Sequence, residues 1–125
     1  MKTKTIYIAF DGREFEDETE CYEYEMDKQF AEIQNELVMK DSKGNMVDII
    51  DFDSCDYLVC KTKRAAEILY EWAVGYFGYN VPWNTKHAAD EGYYFYNYDT
   101  EQWEDIEEKI DELEERLSFL RKIVG

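Results

Sequence analysis

The chain has 125 residues, 45% of them hydrophobic and 17% aromatic, enough apolar surface for one domain, residues 1–125, with a real core. Thirty acidic residues against 14 basic ones leave a net charge of −16. Non-specific DNA and RNA binding relies on Lys and Arg to neutralise phosphates, and anionic membranes draw proteins through the same residues, so no nucleic acid and no membrane is expected as a partner. An acidic surplus of this size either keeps the protein in solution or imitates nucleic acid before a basic groove.

No stretch reaches the 18 or so apolar residues of a membrane span, and the apolar run before Asp11 is too short for a signal peptide. A cytoplasmic location is the expectation. Cys21, Cys55 and Cys60, an odd number, read as reduced thiols. Cys55 and Cys60 lack the companions of a zinc site, so no metal and no cofactor are expected.

In chain order, Thr5 to Phe10 reads as a strand ending at an Asp11-Gly12 turn. Asp17, with Glu20 three residues on, then opens a helix whose apolar face carries Tyr22, Met26, Phe30, Ile33 and Leu37. "DSKGN" (Asp41 to Asn45) is a turn between short strands at Leu37 to Lys40 and Met46 to Ile50. Cys55 to Lys61 is a further strand. Thr62 caps a second helix, with Ala65, Ile68, Leu69, Trp72, Ala73 and Tyr76 at helical spacing until Gly78. Gly78 to Gly92 has no periodicity and holds the chain's one proline, its one histidine and Trp83, and loops of that length are disproportionately functional. Tyr93 to Tyr98 is a strand by composition, and Asp99 or Thr100 caps the last helix. The order β-α-β-β-β-α-β-α predicts an α+β fold: a small, mainly antiparallel sheet with packed helices and a long C-terminal amphipathic helix.

That last helix carries one seam. Trp103, Ile106, Ile110, Leu113, Leu117, Leu120 and Val124 are separated by alternate steps of 3 and 4, the narrow stripe of a coiled coil. The stripe faces either the chain's own sheet or a second copy. Phe119 and Ile123 widen its C-terminal end, which favours a homodimer or higher homo-oligomer, with Arg116 on the flank of the seam.

Enzyme signatures are missing: no nucleophile elbow, no phosphate-binding glycine loop, and His87 alone in a loop. No catalytic residue is assigned, and the chain is expected not to be an enzyme. "DIIDFDSCD" gathers Asp48, Asp51, Asp53 and Asp56 without the pattern of a calcium loop. More suggestive are scattered basic residues among aromatics. Lys61, Lys63 and Arg64 stand at the start of the second helix, whose N–H groups suit a phosphate. Trp83, Tyr79 and the tyrosines of 93–98 offer faces on which a base stacks, with Asn80, Asn84 and Asn97 to read its edge. This set fits one small nucleotide better than a polymer.

The opening "TIYIAFDGREFEDETECYEYE" resembles the start of small phage proteins of Gram-positive bacteria, and the overall plan resembles the phage anti-Thoeris sponge proteins of the first described type. The resemblance implies a cytoplasmic oligomer in an infected bacterial host that sequesters a cyclic ADP-ribose isomer between subunits without cleaving it. It assigns the pyrophosphate to Arg64 and Arg116 and the base to the region of Trp83, Asn84, Tyr96 and Asn97. The alternative function is an acidic DNA mimic, presenting runs such as "EDIEEKIDELEE" to a nuclease.

Overall fold

The structure, a computed structural model, describes residues 3–125 and divides after Gln34 into two compact units. In the first, strands β1 (Tyr7–Ile8) and β2 (Glu14–Phe15) pair antiparallel. Gly12, at φ 91°, turns the chain between them, and its N–H donates to the Ala9 carbonyl at 2.9 Å. The expected strand over Thr5 to Phe10 is thus reduced to two residues of a small hairpin.

Helix α1 (Glu18–Glu32) follows, and the Asp17 side chain caps it by accepting from the N–H groups of Thr19 and Glu20 at 2.8 and 3.4 Å. Cys21, Met26 and Ile33 are its buried positions, whereas Tyr22 is exposed. Leu37, expected both at the end of this helical face and at the start of a strand over Leu37 to Lys40, takes the strand place, because the helix stops at Glu32 with Ile33 as its C-cap. Arg13 lies over the rings of Phe15 and Tyr24, 5.3 and 4.8 Å from their centroids. The Tyr24 hydroxyl donates to Asp11 at 2.5 Å. That bond, followed by the Arg13 N–H, holds the Asp11 carboxyl below the usual carboxylate range.

The second unit is built on a four-stranded antiparallel sheet in the order β3 (Leu37–Lys40), β4 (Tyr57–Cys60), β5 (Gly92–Asn97) and β6 (Gln102–Asp105). The "DSKGN" turn forms as expected: the Asp41 side chain accepts from the N–H groups of Lys43 and Asn45, both at 2.9 Å, and Gly44 takes φ 84°. No strand follows it. Met46 makes a single bridge to Lys40, and Ile49–Ser54 then coils into a 3-10 segment capped by Asp48. The two buried side chains of that segment, Ile49 and Phe52, stand on either side of a kink at Asp51, whose φ −103° and ψ 24° are not helical.

Helix α2 (Lys63–Gly75) is the central helix of this unit. Thr62 caps it, accepting from the Ala65 N–H at 3.2 Å, and Ala65, Ala66, Ile68, Leu69, Trp72 and Ala73 are buried. Gly78, at φ 74°, lets the chain turn back so that the Tyr79 N–H reaches the Ala73 carbonyl at 2.7 Å. The strand register pairs Leu37 with Cys60, Met39 with Leu58, Leu58 with Tyr94, and Tyr96 with Trp103. Directly paired residues share a face, so these side chains form one surface of the sheet.

Residues 98–101 form a turn with Glu101 at φ 56°, leading into β6. The final helix α3 (Ile106–Val124) is capped by Asp105, not by Asp99 or Thr100, with the Asp105 side chain accepting from the Glu108 N–H at 3.1 Å. Trp103 therefore belongs to a strand and not to the helical seam. The extra hairpin arises because the Asn97 side chain accepts from the Asp99 N–H at 2.9 Å and turns the chain before a helix can start. Among the described residues, no helix is long and apolar enough to cross a membrane.

Candidate functional site

A cleft of about 310 Å³ opens at the edge of the sheet face that carries Tyr96 and Trp103. Three segments supply its walls. The 3-10 segment and its exit give Phe52, Asp53 and Cys55, the turn after α2 gives Tyr79 and Asn80, and the β5–β6 hairpin gives Tyr96, Tyr98, Glu101 and Trp103. Phe52 is 2% exposed and forms the floor.

The rings hold one another. Trp103 stacks on Phe52 at 5.9 Å and 25°, and meets Tyr96 edge-on at 5.5 Å and 71°. Tyr98 stands edge-on to Tyr96 at 5.0 Å, and Tyr79 is 6.1 Å from Phe52. Polar tips of these rings are anchored. The Trp103 Nε1–H donates to the Asn80 carbonyl at 3.0 Å, and the Tyr79 hydroxyl to the Ile50 carbonyl at 2.5 Å. The Tyr98 hydroxyl makes a short hydrogen bond to Asp56, which is 7% exposed and fixed by its own backbone bonds to Lys40 and Tyr96. That bond, more than desolvation, pushes the Tyr98 hydroxyl up to about 12. Flat faces already held in place lose little freedom when a planar ligand stacks on them.

The lining contains two carboxylates, Asp53 and Glu101, and no Lys, Arg or His. Of the six residues that the resemblance assigns, Tyr96 alone lines this cleft, joined by Tyr79, Asn80 and Tyr98 from the wider set of ring faces and amides. Asn84 lines a neighbouring, more polar cavity of about 370 Å³ with Asn80, Pro82 and Gln102, on the other side of Trp103. Trp83 meets Tyr94 edge-on at 5.4 Å and donates to its hydroxyl at 3.2 Å. The Asn97 amide is engaged within the hairpin by Glu104 and Asp99. Arg64, in the first turn of α2, and Arg116, in α3, are both exposed and stand on different elements. The sequence does not mark Phe52 or Glu101 as site residues, and it places Asp53 in an acidic cluster and Trp103 on a helical seam. The signal for Trp103 was Asp105, a good helix cap two residues later, which makes the tryptophan non-helical.

The aspartates of "DIIDFDSCD" separate: Asp48 caps the 3-10 segment, Asp53 faces the cleft and Asp56 is buried under Tyr98. Among the described residues no three His, Cys, Asp or Glu side chains are placed to share a metal ion. Burial pushes the thiols of Cys55 and Cys60 up to about 12 from a usual value of 9.0. Burial also raises the Cys21 thiol, with Glu25 as the second cause. A thiol-reactive disulfide reagent at pH 8 is therefore expected to label none of the three while the protein is folded and all three in denaturant. Unfolded thiols ionise near 9.0 while Cys55 and Cys60 keep their protons to about 12. The unfolded state then binds fewer protons, so stability should fall as pH rises above about 9.

Comparison with protein-family models, with characterised proteins and with solved structures finds no match.

Proposed function

We propose that this chain is a non-enzymatic binding protein that captures a small nucleotide and releases it unchanged. The observation that supports this reading is the cleft of mutually braced rings with carboxylate and amide groups at its rim. A base inserts against Trp103 and Tyr96, while Asp53, Glu101 and the Asn80 side chain offer acceptors to amino groups and to sugar hydroxyls. No tuned nucleophile or acid–base pair is needed for capture alone. The same lining bears on the phosphates. With two carboxylates and no cation there, a diphosphate stays outside the cleft, and its charge must be met by exposed arginines such as Arg64 or Arg116. A cyclic ADP-ribose isomer, the ligand of the sponge proteins that the sequence resembles, has this division between a planar base and a charged diphosphate.

Calorimetry with a cyclic ADP-ribose isomer, followed by heat release and analysis of the ligand, tests the reading. Saturable binding with intact ligand recovered is the expected result. Recovery of a cleaved product would make the chain an enzyme. Absence of heat with this ligand and with its parent nucleoside, alongside salt-sensitive capture of a basic nuclease, would instead favour the acidic mimic. That second reading draws on the six exposed carboxylates in the first half of α3.

A further inference from the structure

Helix α3 presents an apolar face that no described residue of its own unit covers. Every residue from Ile110 to Gly125 is exposed. Along the seam, Ile110, Leu113, Leu117 and Leu120 keep between 46 and 55% of their surface, and Val124 keeps 90%. Phe119 and Ile123, beside the seam, keep 63 and 67%. The main contacts of the helix are with β5 and β6, at its base. A soluble protein rarely leaves a contiguous apolar stripe of this length in water.

We propose that α3 pairs with α3 of a second copy in antiparallel orientation, about a two-fold axis at Glu115. This inference is independent of any ligand. The seam already has the required symmetry. Leu113 and Leu117 lie two residues either side of Glu115, Ile110 and Leu120 five, and Ile106 and Val124 nine. A reversed copy therefore sets each seam residue against another seam residue, with Phe119 and Ile123 flanking the seam.

Charge selects the direction. Before Arg116, α3 carries Glu107, Glu108, Asp111, Glu112, Glu114 and Glu115 against Lys109 alone; from Arg116 onward its charged side chains are Arg116, Arg121 and Lys122. Antiparallel pairing lays the acidic half of each helix along the basic half of the other and sets Glu107 beside Arg121 of the second copy. It also opposes the two helix dipoles. Its like-charge contacts, Glu114 with Glu114 and Arg116 with Arg116, are confined to the axis. Flank contacts balance in the two orders, since parallel pairing sets Lys109 beside Glu114 and Arg116 beside Arg121; what disfavours it is acidic half laid on acidic half. It would also bring both chains, each at −16, to one end of the pair. Antiparallel pairing puts them at opposite ends of a rod about 28 Å long, well beyond the screening length at physiological salt. A membrane surface is a poor occupant, because the carboxylates beside the seam repel anionic lipid.

Sedimentation equilibrium of the full chain at micromolar concentration should give twice the 15.0 kDa of one chain. Leu117→Asp buries no charge in the folded protomer, since Leu117 is exposed there; circular dichroism should be unchanged while dimer affinity falls by about 100-fold or more. Arg121→Glu should weaken the dimer by setting a carboxylate against Glu107 of the second copy, and combining it with Glu107→Arg should restore it. A monomer at these concentrations, or a dimer indifferent to Leu117→Asp, would overturn the proposal. A dimer tightened by Arg121→Glu would mean that Arg116 and Arg121 are neighbours, and would overturn the antiparallel order.

Discussion

Replacing Phe52 by alanine is expected to destabilise the second unit by about 3–5 kcal/mol, the range for a large ring removed from a packed interior. Phe52 is 2% exposed, is stacked on Trp103 and lies 6.1 Å from Tyr79, so no neighbour fills its place without breaking another ring contact. The 3-10 segment around it has little of its own to hold it, because its i to i+3 bonds are poorly aligned and Ile49 is its other buried side chain. Thermal unfolding should show a loss of the order of 10–20 °C for a chain of this size. The adjacent Ile50→Ala is the contrast: Ile50 is 57% exposed and contributes its backbone carbonyl, not its side chain, to the Tyr79 hydroxyl. That change should stay within about 0.5 kcal/mol. A Phe52→Ala protein within about 1 kcal/mol of the parent would mean that the ring is not the floor of the cleft, and the site described above would lose its foundation.

How much of this was legible in the sequence depended on how local each signal was. The cap at Thr62 and the repeat from Ala65 to Ala73 lie within one element, and α2 forms where they point. The Asp41 to Asn45 turn and the Asp17 cap are equally local. The α+β class followed from them, and the structure has it. The strands expected at Leu37 to Lys40, Cys55 to Lys61 and Tyr93 to Tyr98 also form, as β3, β4 and β5, whereas two further elements were decided by distant partners. Trp103 fits the 3-4 spacing of the seam, yet its ring is held by Phe52, about fifty residues earlier, and by Tyr96 across a hairpin. Met46 to Ile50 has strand composition, but Phe52 has to reach the interior, and two short 3-10 turns kinked at Asp51 deliver Ile49 and Phe52 there. The cleft was half visible for the same reason. Tyr79, Asn80 and Tyr96 stand out as aromatic or amide residues flanking an irregular loop, whereas Asp53 and Glu101 are two among thirty acidic side chains that only the fold distinguishes.

Trp103→Ala is expected to reduce ligand affinity by about 5- to 150-fold, corresponding to the ~1–3 kcal/mol that one stacked base gains from an aromatic face. It removes a ring that is braced by Phe52 and Tyr96, together with the N–H that fixes Asn80 at the rim. Because the residue is half-buried, a stability cost of about 2–3 kcal/mol should accompany it, somewhat below the range for a fully enclosed ring. Trp103→Phe separates the two roles: it keeps a stacking face and loses the N–H, so binding should recover most of the way while the Asn80 anchor is gone. The same substitution distinguishes the two places this tryptophan can occupy. If it were the first residue of the helical seam, Trp103→Ala would weaken association of the chains much as Leu117→Asp does. In a strand whose ring points into the cleft, it should leave association unchanged and act on binding and stability. Sedimentation and calorimetry on the same two proteins decide between these outcomes, and equal loss of self-association in both variants would return Trp103 to the seam.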